Sequence, residues 1–339
     1  MRKWVVLCLL GASFLFSCER AVENVDNQDV AADYVTFVIN QGNFYDGIAG
    51  SLDALMVDGR YNRDVFARQN GGMTLGDTPQ AGVIYGTKLY VVAYESNLVW
   101  VLDRKTAKIV KRLEIKAPEN VCASAGKVFV TTNDGYLNAL DTLTMTFDAR
   151  VAVGPNPMGC AVRNDEIFVA VSDGYNYNDN YVNGRKVAVV NPHSMQVVRE
   201  ISVGLNPTQV VAGADAVYVV CSGNYADVLP EVWKITDETA EKWTSASHVA
   251  VLKNGEIMMM NVQTDWTTHT TSVVYSPSLS GELPPAPTGI FVSENGHIFV
   301  TSDAKLYDYV SSGSVYEYDE AGRFLQKFSA GVHPYGVVG

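Results

Sequence analysis

Val332-His-Pro-Tyr-Gly-Val-Val-Gly339, at the C-terminal end, repeats a pattern found three more times: Asn156-Pro-Met-Gly-Cys-Ala-Val162, Asn206-Pro-Thr-Gln-Val-Val211 and Ala286-Pro-Thr-Gly-Ile-Phe-Val292. Each of the three internal copies leads into a pair of apolar strands, whereas the C-terminal copy has no strand after it. The N-terminal repeat, beginning near Tyr34, lacks the matching first strand. The two incomplete repeats complete each other if the chain closes into a ring, and a ring of such units is a β-propeller.

Working outward, every repeat has the same order of signals. A short apolar strand is followed by a Gly, Asn or Asp turn, a β-branched and aromatic strand, a loop of variable length, a third strand, a polar turn and an alternating fourth strand. The second repeat is the clearest, with strands at Gly82–Tyr85, Leu89–Ala93, Leu98–Leu102 and Ile109–Ile115. Lead-in prolines fall at Pro79, Pro118, Pro157, Pro207, Pro287 and Pro334, and the long gap from Pro207 to Pro287 holds a sixth repeat without one. The expected fold is therefore all-β: a seven-bladed propeller with four antiparallel strands per blade, closed by the C-terminal strand. The first blade is expected to end in a strand from Tyr61 to Ala67 and the sixth in a weak strand around Leu283, with no helix anywhere. One propeller domain is expected over 34–339.

The first eighteen residues read as an export signal, with Arg2 and Lys3 before a short apolar core. That core is too short to span a bilayer as a helix. Leu15-Phe16-Ser17-Cys18 resembles a bacterial lipoprotein box, which predicts an acylated Cys18. Residues 19–33 have the composition of a flexible tether. The expected location is the outer membrane, through the lipid anchor alone and at the cell surface. Formal net charge is −12, which disfavours binding to nucleic-acid phosphates. Cys122, Cys160 and Cys221 remain in the domain, an odd number, so at least one is unpaired; whether Cys122 and Cys160 pair stays open.

Strand phase sorts the loops. Connections between blades share a face with the loops between strands 2 and 3, and the opposite face carries short turns such as Asn254-Gly255. The first face is rich in aromatic and amide side chains, which combine rigid contact area with adaptable hydrogen bonding. The candidate ligand-binding residues there are Asn43, Phe44, Tyr45, Tyr94, Tyr136, Tyr175, Tyr177, Tyr181, Tyr225, Trp266 and Tyr307, joined by His333 and Tyr335 of the closing segment. Neither a partnered Ser–His–Asp set nor a cofactor motif is readable from spacing, and no metal site or catalytic residue is assigned. A calcium site at Asp173, Asn178 and Asp179 is weighed, but the spacing is not that of an EF-hand.

Phe37-Val-Ile-Asn-Gln-Gly-Asn-Phe44 followed by Gly50-Ser-Leu-Asp53, with Leu75-Gly-Asp-Thr-Pro-Gln80 and the Val-Gly-x-Asn-Pro segments at 153–157 and 203–207, resembles the YncE-like propeller surface lipoproteins of Bacteroidetes. The resemblance covers the whole mature domain and is similar to the cobalamin-binding BtuG type. It implies capture of a corrinoid, or another polar small molecule, for a TonB-dependent outer-membrane transporter. Three readings follow: a non-enzymatic binding protein, which is the one expected; a scaffold that docks a transporter without a small ligand; and a propeller hydrolase or lyase.

Overall fold

The computed structural model describes residues 33–265 and 270–339. Cys18, the signal segment, residues 19–32, Trp266 and His269 lie outside the described residues. No helix among the described residues is long and apolar enough to cross a membrane.

Seven antiparallel sheets form the blades, six of four strands and one of three. Ring closure is as expected: the C-terminal strand Pro334–Val338 is hydrogen-bonded beside Tyr34–Asn40, pairing Phe37 with Val338 and Ile39 with Gly336. Packing between blades explains why the middle strands are apolar without alternation. In Lys88–Ala93, Leu89, Val91 and Ala93 pack with Phe37, Ile39 and Leu52 of the first blade. Tyr90 and Val92 turn to Val121, Val128 and Val130 of the third. Both faces of such a strand are buried, so both require apolar side chains. A side chain such as Phe129, with none of its surface exposed, contributes on the order of 1.5–3 kcal/mol by burial. The rim strand Thr146–Ala152 has one wet face and alternates exposed and half-buried residues.

Two expected outer strands are altered. In the first blade the fourth strand is only Tyr61–Asn62, and a helix, Val65–Gln69, follows it. Asp64 accepts a hydrogen bond from the Ala67 amide at the start of that helix. Phe66 is buried from the helix against Trp100, 5.0 Å between ring centroids. In the sixth blade no fourth strand forms around Leu283, which is half exposed and followed by Pro284 and Pro285. Two successive residues without an N–H cannot extend a ladder. Cys122, Cys160 and Cys221 are buried and free.

One backbone device recurs at the start of the inner strands. The residue before the proline is left-handed in five blades: Thr78, Ala117, Asn156, Asn206 and His333, with φ of 53°, 43°, 44°, 57° and 52°. This is a costly conformation for any residue with a Cβ. Just after the proline the ladder register slips in six blades, so that Gln80, Glu119, Met158, Thr208, Thr288 and Tyr335 have no cross-strand partner. A bulge of this kind re-aims the side chain it frees. In the sixth blade Ala246 stands where the others have proline, and the inner strand His248–Val251 runs without a slip.

Candidate functional site

On the long-loop face a cavity of ≈ 650 Å³ opens toward solvent. Its walls come from the two sources that strand phase puts on that face. The loops between second and third strands supply Gln41 to Tyr45, Tyr94, Glu95, Asn133, Tyr175 and Tyr309, and the blade connections supply Thr78, Asn156 and His333. Three of the bulged residues, Gln80, Glu119 and Met158, complete it with Ser172 and Gly174 from the loop that carries Tyr175.

Hydrogen bonds along the wall converge on one carboxylate. Gln80 Nε2 donates to Glu119 Oε2 at 3.0 Å, and Asn133 Nδ2 donates to Glu119 Oε1 at 3.1 Å. Gln41 Nε2 donates in turn to Gln80 Oε1 at 3.5 Å, and Asn156 Nδ2 to Asn133 Oδ1. Asn133 Nδ2 also reaches the Tyr94 hydroxyl at 2.8 Å, which lies 2.5 Å from that of Tyr175. Glu119 is 8% exposed. Burial, opposed by the Gln80 hydrogen bond and aided by the charge of Glu95, pushes its carboxyl up to about 7. Burial and the Tyr175 contact likewise raise the Tyr94 phenol.

A second polar pair stands at the seam where the ring closes. Asp303, itself buried, meets His333 Nδ1 at 2.9 and 3.1 Å. Tyr309 sits edge-on to the imidazole at 5.2 Å and Tyr335 lies beside it at 5.8 Å. Tyr335 keeps 37% of its surface. Its phenol is raised by the surrounding protein and by the charges of Glu119 and Tyr225. Asn43 ties the seam from the other side, donating to the Tyr309 carbonyl at 3.1 Å while its Oδ1 caps the turn Phe44–Asp46.

Of the residues expected from sequence, Asn43, Phe44, Tyr45, Tyr94, Tyr175 and His333 line the cavity. Tyr335 adjoins it through His333. Tyr177, Tyr225 and Tyr307 are exposed on loops outside its lining. Tyr181 is buried in its own loop at 6% exposure, and Tyr136 lies under the Arg150 guanidinium at 3.8 Å. Asp173 is turned to its loop, accepting from the Asn183 amide and the Asn176 side chain. Sequence reasoning missed Glu119 and Gln80. The signal available was positional: each is the residue after a lead-in proline.

The arrangement can bind a ligand with polar and aromatic surface and can hold or release a proton at Glu119 near neutral pH. The fold compares with several solved structures. A quinonprotein alcohol dehydrogenase-like protein of Bacteroides thetaiotaomicron aligns at 14% identity over 90% of this chain and 78% of that one, with a TM-score of 0.64. Hydrazine synthase of Kuenenia stuttgartiensis aligns at 12% identity over 77% and 89%, TM-score 0.62. Apo AztD of Citrobacter koseri aligns at 12% over 90% and 97%, TM-score 0.51. At these identities the likeness is one of fold alone. No curated protein matches the sequence. Residues 34–264 match the family described as "Domain of unknown function (DUF5074)", and the chain belongs to that family.

Proposed function

We propose that this protein is a non-enzymatic binding protein that holds a small polar molecule in the cavity on its long-loop face. The observation that carries the reading is the network from Gln41, Gln80, Asn133 and Asn156 that converges on buried Glu119 and runs through Asn133 to the hydroxyls of Tyr94 and Tyr175. Convergent polar groups in an aromatic-walled cavity are the usual make-up of a ligand site. Binding is favoured over nucleophilic chemistry because the Ser172 hydroxyl donates to the Asn156 carbonyl at 2.8 Å and not to a base. The resemblance to cobalamin-binding lipoproteins makes a corrinoid the first ligand to try, laid across the loop ring and handed to a TonB-dependent transporter from an anchor at Cys18.

A scaffold reading is supported by a different observation: Tyr45 is 92% exposed and Tyr177 and Tyr225 also stand out at loop tips, where a protein partner would cover them. Titration calorimetry with cobalamin and nucleotide-free corrinoids tests the first reading. Binding should be weakened at least tenfold by Tyr94→Ala and Tyr175→Ala in a protein that melts like the parent. Absence of heat with every corrinoid, together with co-purification with an outer-membrane transporter, would favour the scaffold.

A further inference from the structure

We propose that the ligand of this cavity carries a positively charged organic group, an ammonium, that sits against Glu119 within the ring of tyrosines. The proposal rests on reading the cavity as a ligand site, and it names a ligand class other than a corrinoid, which carries no ammonium group. Three observations carry it. First, the lining includes two carboxylates, Glu95 and Glu119, and no Lys or Arg. Second, both oxygens of Glu119 accept from neutral amides, Gln80 and Asn133, so its charge is hydrogen-bonded but not neutralised. A desolvated charge without a counter-charge is costly, and a ligand cation offsets that cost. Third, the rings of Phe44, Tyr94, Tyr175 and Tyr309 are in the same wall. Aromatic faces are electron-rich and attract ammonium groups, the more strongly when the contact is desolvated.

The class of cation follows from the donor set. Among the described residues no three His, Cys, Asp or Glu side chains come together as a metal site. An aromatic wall offers a metal ion nothing to coordinate, whereas it covers the methyl or methylene groups around an ammonium nitrogen. Anionic ligands are disfavoured for the same electrostatic reason, since Glu95 and Glu119 would repel them.

Three probes of nearly the same shape separate charge from size: choline, its neutral carbon isostere 3,3-dimethylbutan-1-ol, and the anion 3,3-dimethylbutanoate. Saturation-transfer NMR on the whole propeller at pH 8, where Glu119 is ionised, detects even millimolar binding. Choline should bind at least tenfold more tightly than the neutral isostere, and the anion should give no signal. Glu119→Gln should bring choline and the isostere to within about twofold, and Tyr175→Ala should weaken both. The inference is overturned if the isostere binds as well as choline, or if Glu119→Gln leaves their ratio unchanged. Those outcomes, with a signal still lost in Tyr175→Ala, leave the cavity as a site for neutral ligands. Silence from all three probes overturns the ammonium inference, while the ligand-site reading then stands or falls on the corrinoid titration.

Discussion

Gln80 and Glu119 stand at equivalent places in successive blades, each directly after a lead-in proline, and the amide of the first donates to the carboxylate of the second at 3.0 Å. A repeat that frees one side chain per blade from its ladder thereby places neighbouring polar groups within hydrogen-bond distance at the cavity wall. The same bulge that weakens six inner ladders builds part of the site.

Removing that donor should shift the acceptor. The Gln80 bond holds the Glu119 carboxyl below where burial alone would put it. Gln80→Ala should therefore raise the apparent pKa of Glu119 above its value of about 7. A carboxyl carbon titration by NMR checks this, with no change or a fall counting against the network.

Glu119 and His248 should oppose each other in acid stability. Glu119 is near 7 in the fold against 4.5 for an open chain, so the folded state holds a proton the unfolded chain has lost, and stability falls as pH rises through that window. Burial pushes His248 down to about 4 from 6.5, and its Nδ1 has no partner. The unfolded chain binds the extra proton there, so stability falls as pH drops from 6.5 toward 4. Each term is on the order of 3 kcal/mol at full extent. Relative to the parent, Glu119→Gln should lose stability on acidification and His248→Phe should lose it as pH rises from 4.5 to 7. Denaturant midpoints measured across pH decide it, and parallel profiles would refute the opposition.

Gly159 lies where two inner strands meet. A Cβ there would stand 2.8 Å from the Thr208 carbonyl oxygen, 2.9 Å from the Val210 nitrogen and 3.1 Å from the Gln209 Cα, all backbone atoms that cannot rotate aside. Gly159→Ala should cost about 1–3 kcal/mol in urea unfolding. An unchanged midpoint would mean the strands separate more easily than their packing implies.

Deleting residues 332–339 removes the strand that pairs with Tyr34–Asn40 and uncovers the edge of the first blade. Cooperative unfolding or aggregation should follow at temperatures the parent withstands. A truncated protein with the parent's melting curve would disprove closure by this strand.

Much of the fold was legible because its determinants are local. Prolines, turn residues and apolar runs repeat within short windows, and the pleat then dictates which loops share a face. That reasoning yielded the blade count, the closing strand and the aromatic loop face. It failed where neighbours intervened: Asp64 starts a helix in place of a rim strand, and Pro284-Pro285 deny the sixth blade its fourth strand.

The site was legible only in part. Composition alone could not separate Tyr175, in the cavity wall, from Tyr181, buried six residues later in the same loop. Its place after the lead-in Pro118 singles out Glu119 along the strand, but nothing in the sequence shows that its carboxylate is desolvated. Its environment is assembled from Gln80, Asn133 and Glu95, groups on different strands and loops that only the packing of neighbouring blades and the bulges bring together. The sequence by itself determined the repeats, their phase and the face that carries the long loops, because those depend on near neighbours along the chain. Tertiary structure alone decided which side chains converge and which carboxylate is desolvated, because burial and electrostatics sum over distant groups.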